Sequence, residues 1–368
     1  MARIPMYKPL MGEEELENIT EAVKSTWISS QGKFITQFEE EFASKIGTKY
    51  AVATSNGTTA LHLSMVALSI SPKDEVIVPT LTFIASANTV RYTGAKPVLV
   101  DSHKDYWCID PDKIEKRITK RTRAIMPVHL YGHPCDMDPI MEFAERHNLY
   151  IIEDAAEATG AKYKGRNVGS FGNVSSFSFF GNKILTTGEG GMCTTNDESL
   201  YKKMRILRDH GMTPTRRYWY EVMGYNYRMT NLQAAIGVAQ LHRMDNVIEK
   251  KRRIAKLYEE KLSKLVDRGY ITLSPQMEWA TSVYWMYNII LKKKAMVSRD
   301  ALMERLDEKG IETRPIFHPL HTMPPYKQSR RYPIAEKIGA FGVSLPSGPT
   351  LTDVEIEEVC NAIAQNVA

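Results

Sequence analysis

The chain carries the run Ser178-Phe-Phe-Gly-Asn-Lys-Ile-Leu-Thr-Thr-Gly-Glu-Gly-Gly191, in which one lysine stands among closely spaced glycines. Gly188, Gly190 and Gly191 indicate a backbone that passes close to a ligand or adopts a positive φ. A glycine-rich hairpin explains them equally well, and a lone lysine after a Gly-Asn turn is usually a solvated side chain. Lys183 therefore becomes informative only together with the residues that precede it.

Those residues are Ile151-Ile-Glu-Asp-Ala-Ala-Glu157, an apolar stretch that ends in carboxylates. A strand here would carry Asp154 to its carboxyl end, where α/β sheets bind ligands. Pyridoxal phosphate requires an amine for its aldehyde, a carboxylate for its ring nitrogen, and hydroxyl and N–H groups for its phosphate. Asp154 and Glu157 could also simply cap the following helix. Together with Lys183, they favour a pyridoxal phosphate site.

The bulk properties are those of an ordinary enzyme. Hydrophobic residues at 43% and charged residues at 25% exclude a disordered chain. No apolar run approaches the roughly 20 residues that cross a bilayer, so we expect no membrane association. The N-terminus lacks the apolar segment of a secretory signal, which predicts a cytoplasmic location. The four cysteines are widely spaced, which predicts reduced thiols.

The charge pattern favours a small anionic substrate over nucleic acid. The net charge of +5 is mild, and no stripe of Lys and Arg alternates with aromatic residues. The densest basic run, at residues 250–253, lies inside a helical pattern, where a solvated face is the expected explanation.

Short apolar runs alternate with amphipathic stretches in the first half of the chain, which predicts βαβ units and a mostly parallel sheet. The predicted strands are 50–54, 75–79, 97–100, 124–129, 150–154, 174–179 and 191–195. The predicted helices between them are 57–70, 83–92, 111–116 and 138–147.

The pattern changes in the second half. Residues 197–208 and 231–265 are helical; the second run is unusually long and contains Gly237, so it predicts either two helices or one long helix. A strand at 284–291 and helices at 298–309 and 353–364 follow. We therefore predict a large cofactor-binding domain at residues 1–245, including the N-terminal segment, and a small α+β domain at residues 246–368.

Several motifs together resemble the sugar-nucleotide aminotransferases, a branch of the fold type I pyridoxal phosphate enzymes related to aspartate aminotransferase. Besides the run around Lys183, they are Trp27-Ile-Ser-Ser-Gln-Gly32, Ser55-Asn-Gly-Thr-Thr-Ala60, Pro79-Thr-Leu-Thr-Phe83, Asp154-Ala-Ala-Glu157, Gly224-Tyr-Asn-Tyr-Arg228, Arg314-Pro to His321, and Ser344-Leu-Pro346. The resemblance spans nearly the whole chain. It implies an aspartate aminotransferase-like α/β fold, with a mostly parallel central sheet, helices on both faces and a smaller C-terminal α+β domain.

The resemblance also implies a cofactor site. Lys183 would bind pyridoxal phosphate covalently, and Asp154 would pair with the ring nitrogen. The remaining implied contacts are Gly57, Thr58, Thr59 and Ser178 at the phosphate, Phe83 on one ring face, and Glu157 near the 3-hydroxyl. Each also has a plain structural explanation: helix capping for the residues at 56–59, a strand serine, a core aromatic and a solvated glutamate.

Two further sets of residues follow from the resemblance. Asn226 and Arg228 would cross into the partner subunit's active site, where either of them could contact the cofactor phosphate, which implies a homodimer with shared sites. Arg314 and His321 would lie near the substrate's nucleotide or diphosphate, where a fork of donors suits anionic oxygens, and Trp27 would also bind the substrate. His318 and His321 are three apart, but the surrounding prolines oppose the helix that a metal-binding pair would need, so we expect no metal.

The implied reaction transfers an amino group from L-glutamate to a nucleotide-linked 4-keto-6-deoxyhexose through pyridoxamine phosphate. A GDP-linked sugar is the first expectation, with UDP- or dTDP-linked sugars and amination at C3 as alternatives. A dehydratase of the same family is a further alternative, although such members carry His at the lysine position. The last alternative is a non-catalytic regulator with the same fold.

Overall fold

A computed structural model describes residues 3–213 and 215–368. The α-helices in these ranges are α1 (Glu13–Lys24), α2 (Lys33–Ile46), α3 (Gly57–Ala67), α4 (Ala85–Tyr92), α5 (Met137–Arg146), α6 (Glu198–Arg208), α7 (Asn231–His242), α8 (Met244–Asp267), α9 (Arg299–Glu308), α10 (Pro333–Phe341) and α11 (Asp353–Val367). The strands are β1 (Tyr50–Thr54), β2 (Glu75–Pro79), β3 (Lys96–Val100), β4 (Thr122–Ile125), β5 (Tyr150–Asp154), β6 (Lys162–Tyr163), β7 (Arg166–Asn167), β8 (Val174–Ser178), β9 (Gly191–Thr195), β10 (Ile271–Leu273), β11 (Ala280–Thr281), β12 (Tyr287–Leu291), β13 (Arg314–Pro315) and β14 (Gly342–Leu345). None of these helices has the length and apolarity that crossing a membrane would require.

The central sheet has seven strands in the order β1-β9-β8-β5-β4-β2-β3. The pairs β2 with β3, β2 with β4, β4 with β5, and β5 with β8 are parallel. Strand β9 is antiparallel to both of its neighbours, so β1 runs in the same direction as the rest. The expected α/β fold with a mostly parallel sheet is confirmed.

Both faces of this sheet are buried, which follows from the alternation of side chains along a strand. On β2, Ile77 belongs to one apolar cluster, and its neighbours Val76 and Val78 belong to another. On β5, Ile151 and Ile152 divide between the same two clusters. Burial of each such side chain contributes about 1.5–3 kcal/mol, so both layers of helices stabilise the sheet.

The parallel strands bring polar residues to one edge. Asp154 ends β5 and Ser178 ends β8, while Thr82 lies three residues after the end of β2. Helix α3 begins at Gly57, shortly after β1. Because the carboxyl ends of parallel strands meet at the same edge, residues distant in sequence converge there.

A second, antiparallel sheet has the order β10-β12-β14-β13 and packs with α8, α9 and α11. It lies wholly after residue 246, where we place the small domain; the division at that residue stays a prediction. The start of the N-terminal segment, which we place in the large domain, also contacts the apolar cluster of this second sheet. Ile4 pairs with Ile311 in an isolated bridge and belongs to the same apolar cluster.

The long helical run is two helices, which separate at Arg243. Gly237 does not break it, because it lies inside α7. A Cβ at Gly237 would lie 2.7 Å from the ring of Phe38 in α2, so the glycine allows the two helices to pack closely. The helix expected at 111–116 is instead two 3₁₀ turns, Pro111–Lys113 and Glu115–Arg117.

The basic run at residues 250–253 is only partly a solvated face. Arg252 and Arg253 are exposed, but Lys251 is buried. Helical periodicity explains this correction, because position 251 lies on the same face as the buried residues Val247 and Ala255.

Candidate active site

A cavity of about 590 Å³ opens at the carboxyl ends of the parallel strands. Most of the predicted site residues line it, namely Gly57, Thr58, Thr59, Phe83, Asp154, Glu157, Ser178, Lys183 and Arg314. The structure therefore brings nine of the predicted residues together in one cavity. The role of each residue remains a proposal.

Lys183 lies in the loop between β8 and β9, and its Nζ is 3.6 Å from the ring centroid of Trp285. Burial lowers the pKa of the Lys183 amine, while the charges of Glu157 and Asp154 act in the opposite direction. A lysine with a lowered pKa is neutral more often, and the neutral amine is the form that attacks an aldehyde or accepts a proton.

The Lys183 loop is fixed through its backbone. The Tyr7 hydroxyl donates a hydrogen bond to the Lys183 carbonyl oxygen over 2.7 Å, and Trp285 Nε1 donates to the Asn182 carbonyl oxygen, also over 2.7 Å. The amine is thus presented to the cavity by a loop that two side chains hold in place, one from the N-terminal segment and one from the segment before β12.

Two buried carboxylates face this amine. Ser86 Oγ donates to Asp154 Oδ2 over 2.7 Å, and the Ala156 N–H donates to Oδ1 over 3.2 Å. Burial nevertheless raises the pKa of Asp154 above its usual value. Burial also raises the pKa of Glu157, although its Oε2 accepts the Tyr131 N–H over 2.7 Å. A cationic or hydrogen-bond-donating ligand would stabilise the ionised form of both carboxylates.

The N-terminus of α3 forms the opposite end of the cavity. Asn56 caps the helix by accepting the Thr59 N–H over 2.9 Å, and Thr59 Oγ1 donates to the Asn56 carbonyl over 2.8 Å. The amide and hydroxyl of Thr59 are thus engaged in capping, and its contact with a phosphate stays a prediction. A Cβ at Gly57 would lie 2.7 Å from Ser178 Cβ, so only glycine lets the helix end approach Ser178. Gly57, Thr58 and Ser178 are therefore our candidate anion cradle.

Aromatic side chains form one wall of the cavity. Phe83 is 55% exposed, and its ring centroid lies 5.8 Å from that of Phe317. Phe317 stacks on Tyr131 at 5.2 Å, and Tyr131 in turn stacks on Trp285 at 6.0 Å. The exposed face of Phe83 is thus available to a planar ligand and backed by a rigid stack.

Four predicted residues lie outside the lining of this cavity. Trp27 is 55% exposed, and its carbonyl oxygen accepts a hydrogen bond from the side chain of Asn231 in α7. Arg228 pairs with Asp209 at a separate surface hollow, and Asn226 forms a backbone bridge to the same aspartate.

His321, the fourth, is buried. Its Nδ1 lies 2.8 Å from Thr80 Oγ1 and its Nε2 lies 3.2 Å from Glu336 Oε1. Both ring nitrogens are thus engaged within the chain, and a substrate contact of His321 stays a prediction.

Sequence reasoning missed several lining residues, among them His62, Asn182, Tyr227, Trp285 and Phe317. Tyr227 could have been found, because alternation in an extended segment turns it opposite to Asn226 and Arg228. It contacts His62, with Tyr227 Oη 3.0 Å from His62 Nδ1. Trp285 and Phe317 gave no local signal, since only the tertiary fold brings them to the cavity.

This geometry agrees with a comparison against known proteins. The model of the DegT/DnrJ/EryC1/StrS aminotransferase family matches residues 9–364. The chain belongs to this aminotransferase family.

Similar proteins cover the whole length of this aminotransferase. The GDP-perosamine synthase of Caulobacter vibrioides is 52% identical over 367 residues, which are 99% of this chain and 98% of the relative. The GDP-perosamine synthase of Escherichia coli O157:H7 is 48% identical over 364 residues, again 99% and 98%. The X-ray structure of S. venezuelae DesV in complex with ketimine intermediate has a TM-score of 0.93 at 36% identity, with 99% of this chain and 98% of DesV covered.

The cofactor of this aminotransferase is pyridoxal phosphate, with pyridoxamine phosphate as the intermediate form. The cavity fits that group in three respects. It has the cradle at Gly57 for a phosphate, the carboxylate of Asp154 for a ring nitrogen, and the amine of Lys183 for the aldehyde. In addition, Asn182 Oδ1 is buried without a hydrogen-bond partner among the described residues, so the cavity offers an unused acceptor beside the lysine.

Proposed function

We propose that the chain transfers the amino group of L-glutamate to C4 of a nucleotide-linked 4-keto-6-deoxyhexose, and so forms a 4-amino-4,6-dideoxyhexose nucleotide. The observation that supports this most is the Lys183 amine, which lies in one cavity with Asp154 and Glu157. GDP-perosamine is the product we favour, because two relatives with that activity are 52% and 48% identical over the full length.

Each residue has a defined task in this proposal. Pyridoxal phosphate, when bound, supplies the electron sink that lets a Cα proton depart. Lys183 would hold the aldehyde group through its amine, and the same amine would serve as the proton carrier. Asp154 would pair with the ring nitrogen, and Gly57, Thr58 and Ser178 would hold the phosphate. Glu157 would contact the 3-hydroxyl, and Phe83 would cover one ring face and exclude water.

Arg314 is our candidate for the anionic part of the nucleotide sugar. It is exposed, lines the cavity, and within the described part of the chain its one polar side-chain contact is a long one, 3.5 Å to Glu312. A guanidinium with free donors suits phosphate oxygens. The choice of L-glutamate as donor and the cytoplasmic location rest on the sequence predictions above.

A homodimer with shared sites is part of the proposal. Large apolar side chains are exposed on this chain, with Trp27 at 55%, Phe180 at 48%, Tyr218 at 69% and Met223 at 93%. Exposed apolar surface of this kind is typical of protein–protein interfaces. Arg228 lies outside its own subunit's cavity, which supports the idea that it and Asn226 serve the partner.

Mass spectrometry of reactions with L-glutamate and each candidate nucleotide sugar tests the proposal. We expect GDP-4-keto-6-deoxymannose to give an amino sugar and 2-oxoglutarate, with UDP- and dTDP-linked 4-keto sugars reacting more slowly. A pyridoxal phosphate-loaded protein that aminates none of these sugars would contradict the proposed function. Preference for a UDP- or dTDP-linked sugar would contradict only the choice of nucleotide.

A further inference from the structure

Lys251 is the most unusual charged residue outside the cavity. It is 1% exposed, and among the described residues no carboxylate lies within ion-pair distance of its amine. Instead, Nζ donates to the Trp285 carbonyl over 2.8 Å and to the Ser347 carbonyl. Burial lowers the pKa of Lys251 to about 7, so this position is costly for a lysine and calls for a compensating role.

The groups around Lys251 lead to the active-site lysine. The ring centroid of Tyr7 lies 5.2 Å from Lys251 Nζ, and the Tyr7 hydroxyl donates to the Lys183 carbonyl. Trp285, whose carbonyl accepts from Lys251, donates through Nε1 to the Asn182 carbonyl. The ring of Trp285 also lies 3.6 Å from Lys183 Nζ.

Ser347 completes the connection between chain segments. Its N–H donates to the Met6 carbonyl over 3.0 Å, and its Oγ accepts the Tyr287 N–H over 2.9 Å. Lys251 therefore joins the N-terminal segment, the segment before β12 and the segment after β14. Two of these three segments contact the loop that carries Lys183.

We infer that Lys251 is a positioning residue, which holds Trp285 and Tyr7 so that the loop at 182–183 keeps the Lys183 amine in place. The inference rests on the proposed role of Lys183. Whether Lys251 holds the loop at 182–183 can be tested separately, because that loop is present in cofactor-free protein.

The test is Lys251→Met, which keeps the volume and apolar stem but removes both donated hydrogen bonds. In cofactor-free protein, we expect amide hydrogen exchange at Lys183, whose N–H bonds to the Phe180 carbonyl, to become at least about fivefold faster. In loaded protein we expect kcat to fall by about 10- to 100-fold, the order of effect that misplacement by about 1 Å produces. KM for the nucleotide sugar should stay within about twofold, because neither Lys251 nor Tyr7 belongs to the lining of the cavity.

The matched control is Tyr258→Phe. Tyr258 is also buried on α8, and its hydroxyl donates to the carbonyl of Pro346, next to Ser347, over 2.9 Å. This variant loses a buried hydrogen bond from the same helix to the same segment, but it leaves Trp285 alone. We expect lower thermal stability with unchanged exchange at Lys183 and unchanged kcat. Equal effects of the two variants at Lys183 would overturn the inference, because Lys251 would then be only structural.

If Lys251→Met does not fold, Tyr7→Phe tests the same network through one half-buried hydroxyl. It should speed exchange at Lys183 and lower kcat, again with KM unchanged. If Lys251→Met does fold, Tyr7→Phe should lower kcat less in that background than in the wild type, since both residues act on one loop. Unchanged exchange at Lys183 in Tyr7→Phe would contradict the positioning role. Faster exchange together with no amino transfer by wild type would contradict the proposed function only.

Discussion

Two neighbouring carboxylates on β5, Glu153 and Asp154, are both buried, yet their surroundings differ sharply. Glu153 has five hydrogen-bond partners: His129 Nε2, Ser175 Oγ, and the N–H groups of Gly169, Phe171 and Gly172. Asp154 has two, Ser86 Oγ and the Ala156 N–H. The difference arises because successive strand residues point to opposite faces of the sheet.

The pKa directions follow from this difference. Burial acts to raise the pKa of Glu153, but the bonds from His129, Gly169 and Gly172 outweigh it, so its pKa lies below the usual value. For Asp154 the bonds are too few, and its pKa is raised. A fully bonded buried carboxylate stabilises the fold, whereas a sparsely bonded one beside a cavity is prepared for a ligand.

The largest expected effect comes from the lysine beside the sparsely bonded carboxylate. Lys183→Ala removes the amine that we propose to bind the aldehyde and carry the proton, so amino transfer should fall by about 10³-fold or more. Borohydride treatment of the loaded wild type should attach the cofactor to the peptide that contains Lys183, and the variant should show no such attachment. Attachment at another lysine, or near-normal turnover of the variant, would contradict the assignment.

Asp154→Asn should have the next largest effect. It removes the charge that keeps the ring nitrogen protonated, and kcat should fall by about 10²- to 10³-fold. A raised folded-state pKa means that ionised Asp154 disfavours folding above that pKa, so this penalty appears as pH rises. At pH 8, cofactor-free Asp154→Asn should therefore be at least as stable as wild type in urea unfolding. Near-normal turnover would show that Asp154 is not the ring partner.

Glu153→Gln should show the opposite pattern. An amide places an NH₂ group against N–H donors, so the free energy of unfolding at pH 7 should fall by about 3 kcal/mol. A lowered folded-state pKa contributes stability above the unfolded value of about 4.3, and this contribution is lost as pH falls through the folded pKa. As pH falls through that window, the free energy of unfolding of the variant should therefore decrease less than that of the wild type. If folded Glu153→Gln had an unchanged free energy of unfolding but a lower kcat, the contrast drawn here between Glu153 and Asp154 would be wrong.

The sequence could predict the parts of this site that are local. Asp154 at a strand end and Lys183 among glycines are visible because strand termini and glycine spacing are short-range signals. Glu153 looks the same as Asp154 in the sequence, and only the loop at 169–172 distinguishes them. The inward turn of His321 and the arrival of Trp285 depend on contacts between residues far apart in the chain, which no local pattern encodes.

The smallest effect is expected from Ser86→Ala, which changes the bonding of Asp154 without touching its charge. Ser86 donates to Asp154 Oδ2 over 2.7 Å and lies 2.9 Å from Thr82 Oγ1, so Thr82 can donate to Ser86 in turn. A hydrogen bond to a charged group contributes about 1.5 kcal/mol, so kcat should fall by roughly tenfold.

The readout that separates this effect from a general loss of packing is the pH profile. Without the Ser86 bond the pKa of Asp154 should rise further, so the acidic limb of the kcat profile should move to higher pH. Ser86→Thr, which keeps the hydroxyl, is the matched control and should keep the wild-type limb. An unmoved limb in Ser86→Ala would mean that the bond to Asp154 is incidental, and that the contrast with Glu153 depends on burial alone.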